Sequence, residues 1–286
     1  MTNVIWSDKI SDRRGPAYDL LKAALAEMKT AVVAFSGGVD SSLVAAAAHD
    51  ALGERALAVT ACSPTYPPAE KQRAIELARL IGIRHELVDS NEGDIAEYRN
   101  NPPDRCYFCK SVLYDELQAI GVREGTTVIV DGNNLDDEGD YRPGRRAARE
   151  HGVRSPLAEL GFGKAAVRAM ARERGLPNWN DPACACLASR IPYGQEITPE
   201  RLTRIDAAEL AIRGLGFNVV RVRDHGTLAR VELGVEDLDR AFLASTRLQI
   251  SHACRDAGYK YATLDLDGYR TGSMNAVLEL AGRPPK

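Results

Sequence analysis

A chain of 286 residues is long enough for two domains with a sizeable core, and 44% hydrophobic and 27% charged content is ordinary for a globular protein. A formal net charge of −3 supplies no overall electrostatic pull toward nucleic acid. The chain has no run of about 18 apolar residues, and Met1–Lys9 lacks a basic stretch followed by an apolar core. Neither a membrane span nor a signal peptide is therefore expected, and the expected compartment is the cytoplasm.

Residues 1–15 are polar and irregular. From Pro16 to Met28, Leu20, Leu21, Ala24, Leu25 and Met28 recur at helical spacing and predict an amphipathic helix. Thr30–Phe35 is a short apolar, β-branched stretch that reads as a buried parallel strand. Ser36-Gly37-Gly38-Val39-Asp40-Ser41-Ser42 follows, and then an Ala-rich helix over 43–49. A strand, a turn of small residues and a helix together build an anion site. Glycine lets the backbone approach a phosphate, and the helix N-terminus offers unpaired amides and favourable partial charge. Neither Gly-x-x-x-x-Gly-Lys-Ser/Thr nor Gly-x-Gly-x-x-Gly occurs, which excludes the Walker loop and the dinucleotide fingerprint.

Residues 36–42 resemble the PP-loop signature Ser-Gly-Gly-x-Asp-Ser-Ser/Thr of the ATP pyrophosphatases. The resemblance implies that ATP is cut between its α- and β-phosphates and that a nucleophile attacks an adenylated substrate. On it, Ser36, Gly37, Gly38, Val39, Asp40, Ser41 and Ser42 are the expected ATP-binding residues, with Ser36 and Asp40 catalytic.

Further along, strands are expected over 55–61, 85–89 and 126–130, and helices over 67–81 and 111–121. Strands alternating with helices predict an α/β, doubly wound parallel sheet, with ligand at the carboxyl ends of the strands. That rule adds Ala61 and Gly132 to the ATP site. Cys62 there reads as a small buried hydrophobe in preference to a residue of the pocket wall. The turn-forming loop Asp131–Gly144 carries five acids that could hold Mg²⁺ or simply face solvent. Arg142, Arg145, Arg146 and Arg149 beyond it suggest anion contacts or a solvated helix face. After a helix over 164–176, Pro177–Pro182 marks a break. Thr198-Pro199 starts a helix running from Leu202 to Leu215, followed by a hairpin (217–223 and 229–233), a long helix over 235–257 and a last strand over 261–267. The expected organisation is a first domain over 1–194 and a smaller α+β domain over 195–286, for substrate binding or oligomerisation.

The six cysteines include Cys106-x-x-Cys109 at the entry to a helix and Cys184-Ala185-Cys186 in a loop. The helix N-terminus with Arg105 and Lys110 favours thiolate, the metal-binding form. Spacing leaves three readings open: unrelated pairs, a four-thiolate zinc site, or a three-thiolate iron–sulfur cluster.

Arg105-Cys-Tyr-Phe-Cys-Lys110, Asp131-Gly-Asn-Asn-x-Asp-Asp with Asp140-Tyr-Arg-Pro-Gly144, and Ala185-Cys-Leu-Ala-Ser-Arg-Ile-Pro-Tyr-Gly194 extend the resemblance. Val222-Arg-Asp-His225, Ala229–Leu233 and Leu264–Ser273 carry it nearly to the end of the chain. Together they look like the LarE-type ATP-dependent sulfur transferases. The resemblance implies adenylation of pyridinium-3,5-biscarboxylic acid mononucleotide and conversion of its carboxylates to thiocarboxylates, toward the nickel-pincer nucleotide. It implies a [4Fe-4S] cluster on Cys106, Cys109 and Cys186, with Cys186 also catalytic and Cys184 outside the family pattern. ATP and Mg²⁺ complete the expected cofactors. Ser189, Arg190, Arg221 and Arg223 are the expected substrate contacts, the last two sharing one strand face as an anion clamp. A homo-oligomer acting on a small molecule, without nucleic acid or membrane, is expected. A tRNA thiolase would also carry a loop and cluster but needs a basic face, and a non-catalytic nucleotide-binding module would need no cysteines.

Overall fold

The computed structural model describes residues 16–139, 143–182 and 185–270. Residues 1–15, Asp140–Arg142, Cys184 and 271–273 of the family motif lie outside the described residues. Chain contacts divide the protein into two units. Unit one is Met1–Cys62, Pro68–Ser90 and Lys110–Ala183, and unit two is Ser63–Pro67, Asn91–Cys109 and Cys184–Lys286. The sequence predicts a single boundary at 194/195, whereas these units are discontinuous along the chain. Two short segments, one holding Cys106 and Cys109, join the C-terminal part of the chain.

In unit one, α1 (Pro16–Glu27), β1 (Ala31–Ala34), α2 (Val39–Leu52), β2 (Ala56–Cys62), α3 (Pro68–Ile81) and β3 (Arg84–Asp89) alternate as expected. The strands pair in parallel in the order β3-β2-β1-β4, where β4 is Ile129–Val130. The chain leaves β1 toward β2 and returns on its other side at β4. The gap between the carboxyl ends of β1 and β4 is thus the switch point at which open sheets bind ligands. The strand expected over 126–130 is shorter than read, because Thr126 turns the chain: its amide donates to Gly121 O at 2.8 Å and its hydroxyl accepts Val128 N at 3.1 Å.

Helix α2 has no polar stripe. Leu43 to Ala48 are all completely buried, because alanines let neighbouring elements close on every side of it. Leu21 and Leu25 of α1, and Val167 and Ala171 of α8 (Lys164–Glu173), share that core.

In unit two, the short α4 is Ala96–Arg99 and α9 is Pro199–Gly214. Thr198 caps α9 by accepting Arg201 N at 3.4 Å. Strands β5 (Val220–His225) and β6 (Leu228–Leu233) form the expected hairpin, with Gly226 at φ +73 supplying the positive angle of a two-residue turn. β7 (Tyr261–Leu264) adds in parallel to β6 and stops short of the expected 267, since Asp265 begins a turn by accepting Asp267 N at 3.0 Å.

The long helix expected over 235–257 is broken into α10 (Leu238–Phe242) and α11 (Ala244–Asp256), with Leu243 extended at ψ 140. Helical geometry accounts for the break. Ala241, Ile250 and Cys254 are all buried in the unit-two core. At about 100° per residue, an unbroken helix would turn Ile250 and Cys254 well away from the side Ala241 faces. α5 (Arg105–Arg123) starts six residues before the expected 111, so the Cys-x-x-Cys lies within its first two turns. The remaining helices are α6 (Pro143–Glu150) and α7 (Pro156–Glu159). Among the described residues, no helix is long and apolar enough to cross a membrane.

Candidate active site

The phosphate loop lies where β1 hands the chain to α2. Gly37 adopts φ +69, and a Cβ there would stand 3.3 Å from Ala74, so both conformation and space call for glycine. Gly38 is the N-cap of α2, and the amides of the first turn have no intrahelical carbonyl behind them. The loop is braced internally. Ser36 N donates to Ser41 Oγ at 3.2 Å, the two hydroxyls are 3.1 Å apart, and Ser41 Oγ donates to Gly38 O at 3.1 Å. Ser42 is fully buried and its hydroxyl accepts Asn178 Nδ2 at 3.0 Å; the same amide donates to Gly37 O at 2.9 Å. Ser42 and Gly37 are thereby tied to one another through the Asn178 side chain.

The loop after β4 closes on this turn. A Cβ at Gly132 would lie 2.7 Å from Ser41 N and 3.0 Å from the Asp40 carbonyl carbon, both backbone atoms. Gly132 thus serves the site by allowing contact between backbones. Gly132→Ala is expected to cost about 1–3 kcal/mol of stability through overpacking and to weaken ATP binding in the same protein. Calorimetric melting and ATP titration of that variant check this. An unchanged melting temperature and affinity would mean the loop retreats freely.

Asp40 stands in the first turn of α2. Its carboxylate accepts Asn134 Nδ2 at 3.0 Å and pairs with Lys164 Nζ. Sequence reading missed Lys164 and Asn178, which stand 124 and 141 residues from their loop partners. The only local signal was their position in the stretch after the acidic loop.

That loop is largely self-structured. Asp131 is buried and accepts Ser155 Oγ at 2.7 Å, Asn133 N at 3.1 Å and Tyr114 OH at 3.2 Å. Burial pushes its carboxyl above the usual carboxylate range despite these bonds. Asp136 accepts Lys164 N at 2.7 Å, at the start of α8, and Asp137 accepts Asn134 N at 3.1 Å. Three of the five acids are thereby engaged in shaping the loop, and Asp140 lies outside the described residues. Ala61 stands near the carboxyl end of β2, one strand over from the loop. Cys62 is half-buried, more open than a core hydrophobe.

In unit two, the cysteine segments meet around Tyr98 and Arg105. Asn101 ties them by donating to Ile191 O at 3.1 Å and Pro192 O at 2.8 Å while accepting Arg105 Nη1 at 3.0 Å. Tyr98 packs with Leu187, Ala188 and Cys109. Burial, then Cys186 and Cys109, push its phenol pKa well above the ordinary value. Burial works against the charge on Arg105, yet the sulfurs of Cys186 and Cys106 outweigh it and its pKa lies above normal. Cys106 and Cys186 are exposed and Cys109 is half-buried. One helical turn separates Cys106 from Cys109, so they share a face. The soft thiol donors fit an iron–sulfur or zinc group. Among the described residues, however, no three Cys, His, Asp or Glu side chains are gathered at metal-binding spacing.

The expected substrate contacts are already engaged within unit two. Arg190 is 2% exposed and pairs with Glu209, at 2.8 Å from Nε and 3.0 Å from Nη2. Its Nη1 donates to Ala185 O at 2.6 Å, Cys186 O at 3.0 Å and Ser189 Oγ at 3.0 Å. Ser189 Oγ donates to Cys186 O at 2.8 Å. Arg223 donates to Glu232 at 2.6 Å and to Ser189 O at 3.1 Å. Arg221 donates to Val220 O at 2.8 Å and lies 5.2 Å from the Tyr269 ring. Its pKa falls below the ordinary value through burial and the neighbouring Arg190. Arg221 and Arg223 do share one strand face, as expected. That face is buried, and in this structure Arg190 and Arg223 are each paired with a carboxylate. A buried guanidinium needs a carboxylate partner, and Glu209 and Glu232 provide it.

A family model described as NAD synthase matches residues 18–102, the part holding the phosphate loop. An uncharacterized protein of Synechocystis sp. is 47% identical over 90% of this chain and 96% of its own length. The pyridinium-3,5-bisthiocarboxylic acid mononucleotide synthase of Lactiplantibacillus plantarum is 39% identical over 91% of this chain and 94% of its own. A glutamine-hydrolyzing GMP synthase of Aeropyrum pernix is 29% identical over 64% of this chain and 39% of its own. With a braced PP-loop at the switch point and likeness running through both units, the chain belongs to the LarE-type pyridinium-3,5-bisthiocarboxylic acid mononucleotide synthase family of PP-loop proteins.

Proposed function

We propose that this protein is an ATP-dependent sulfur transferase that adenylates the carboxylates of pyridinium-3,5-biscarboxylic acid mononucleotide and converts them to thiocarboxylates, in biosynthesis of the nickel-pincer nucleotide. The observation carrying this reading is that likeness to the named synthase spans 91% of the chain and includes the Cys186 turn, well beyond the phosphate-loop part. A carboxylate is a poor electrophile because oxide is a poor leaving group; adenylation makes AMP the leaving group. The loop amides at the start of α2 stabilise charge on the departing pyrophosphate, and Lys164 beside Asp40 adds a cation there. Mg²⁺ would enter with the triphosphate, and Asp40 is the carboxylate of the loop itself that would hold it. Cys106, Cys109 and Cys186 are the residues that would hold a [4Fe-4S] cluster, which when bound supplies sulfide. Arg221 is the expected cationic contact for the phosphate ester. The reading also includes a cytoplasmic homo-oligomer that needs no nucleic acid.

The test is anaerobic incubation with ATP, Mg²⁺ and the dicarboxylate mononucleotide, followed by mass spectrometry. Expected are pyrophosphate, AMP and a product in which sulfur replaces oxygen. Pyrophosphate release that depends on tRNA, or none at all, would overturn the reading.

A further inference from the structure

The buried carboxylate of Glu209 in α9 is a hub for three parts of unit two. Besides Arg190, it accepts Val222 N at 3.0 Å from the outer edge of β5 and Arg213 Nη2 at 2.7 Å. Glu209 is 1% exposed, so this is no surface pair. β5 stands at the edge of its sheet, and the carboxylate satisfies an amide that the sheet leaves unpaired. Burial opposes the charge on Glu209, but Arg190 holds its carboxyl below the usual range.

On the other side of Arg190 lies the turn of Cys186. The Cys186 carbonyl accepts Ser189 N at 3.0 Å, Ser189 Oγ at 2.8 Å and Arg190 Nη1 at 3.0 Å. Three donors on one carbonyl fix the backbone that carries the thiol, while the side chain itself stays exposed. The planar fork of Arg190 points two of its nitrogens at Glu209 and the third at the turn. A lysine could not span both sets of acceptors.

We infer that Glu209 is a positioning residue, which through Arg190 holds the backbone of Cys186 in the geometry needed for sulfur transfer, and that Arg190 serves this anchor rather than touching substrate. The activity half of this inference rests on the proposed function; the structural half does not. Deleting one member of a buried, hydrogen-bonded ion pair leaves the other charge uncompensated, so the turn loses its anchor.

The experiment compares the parent with Glu209→Gln and Arg190→Lys, with Glu209→Asp as a milder variant should Glu209→Gln not fold. Hydrogen exchange of the ligand-free chain is read by mass spectrometry. Exchange in the peptide bearing the Ser189 and Ile191 amides is expected to speed up at least about tenfold, with phosphate-loop peptides unchanged. In the activity arm, KM for ATP and for the dicarboxylate during pyrophosphate release is expected within about twofold of the parent. Sulfur transfer is expected to fall about tenfold or more. Unchanged exchange at 185–191 in folded variants overturns the anchor. A raised KM for the dicarboxylate, with full sulfur transfer at saturation, overturns it in favour of a substrate contact. Should the parent transfer no sulfur, the proposed function fails, and the exchange arm still decides whether Glu209 holds the turn.

Discussion

Asp40→Ala is expected to lower ATP-dependent pyrophosphate release by about 10²–10³-fold, the range seen when a preorganised charge-stabilising group is removed. The carboxylate joins Lys164 Nζ to the loop and orients the Asn134 amide at 3.0 Å. Without it the lysine has no reason to stay at the helix terminus. Fold loss does not explain the drop, because the side chains of Lys164 and Asp40 are 35% and 21% exposed. Such a solvent-screened pair contributes about 1 kcal/mol or less. Asp40→Asn should fall less far, since it keeps a carbonyl oxygen for Asn134 while losing the charge that holds Lys164. Pyrophosphate assays and melting curves on the same preparations check both. Normal turnover by a folded Asp40→Ala protein would remove the loop from the mechanism.

Cys186→Ala is expected to abolish sulfur transfer while leaving pyrophosphate release intact, because the phosphate loop belongs to the other unit. Cys106→Ala and Cys109→Ala should lose both bound iron and sulfur transfer. Their i, i+3 spacing at the start of α5 puts both residues on one face, and each variant removes a soft ligand that a three-thiolate site cannot spare. Cys184→Ala, outside the family pattern, should stay near the parent. Anaerobic iron, sulfide and zinc analysis with turnover for each variant is the measurement. Stoichiometric zinc lost equally with any of the four would make the cysteines a structural clip, closed to chemistry. The sulfur source would then lie elsewhere.

Much of unit one was legible because its signals are local. A run of six apolar or β-branched residues, two glycines and an Ala-rich stretch name a strand, a phosphate turn and a buried helix within about twenty positions. The Thr198-Pro199 cap and the Gly226 turn were readable for the same reason: a side chain two or three residues away, or a positive φ, decides them. Periodicity failed at Leu243. Residues 235–257 carry no proline or glycine to mark a break, and only the demand that Ala241, Ile250 and Cys254 face one core imposes it.

The charged residues show the other limit. Arg190, Arg221 and Arg223 read as a cationic patch for an anion, since a sequence reports charge without reporting what stands opposite. Glu209 lies nineteen residues beyond Arg190 on a helix and Glu232 faces Arg223 from the next strand, so long-range packing places Arg190 and Arg223 in buried ion pairs. Local chemistry thus determined the phosphate turn, the Thr198-Pro199 helix start and the hairpin turn. Tertiary structure decided which charges are spent on one another, because a guanidinium taken out of water must find its carboxylate wherever the fold has placed one.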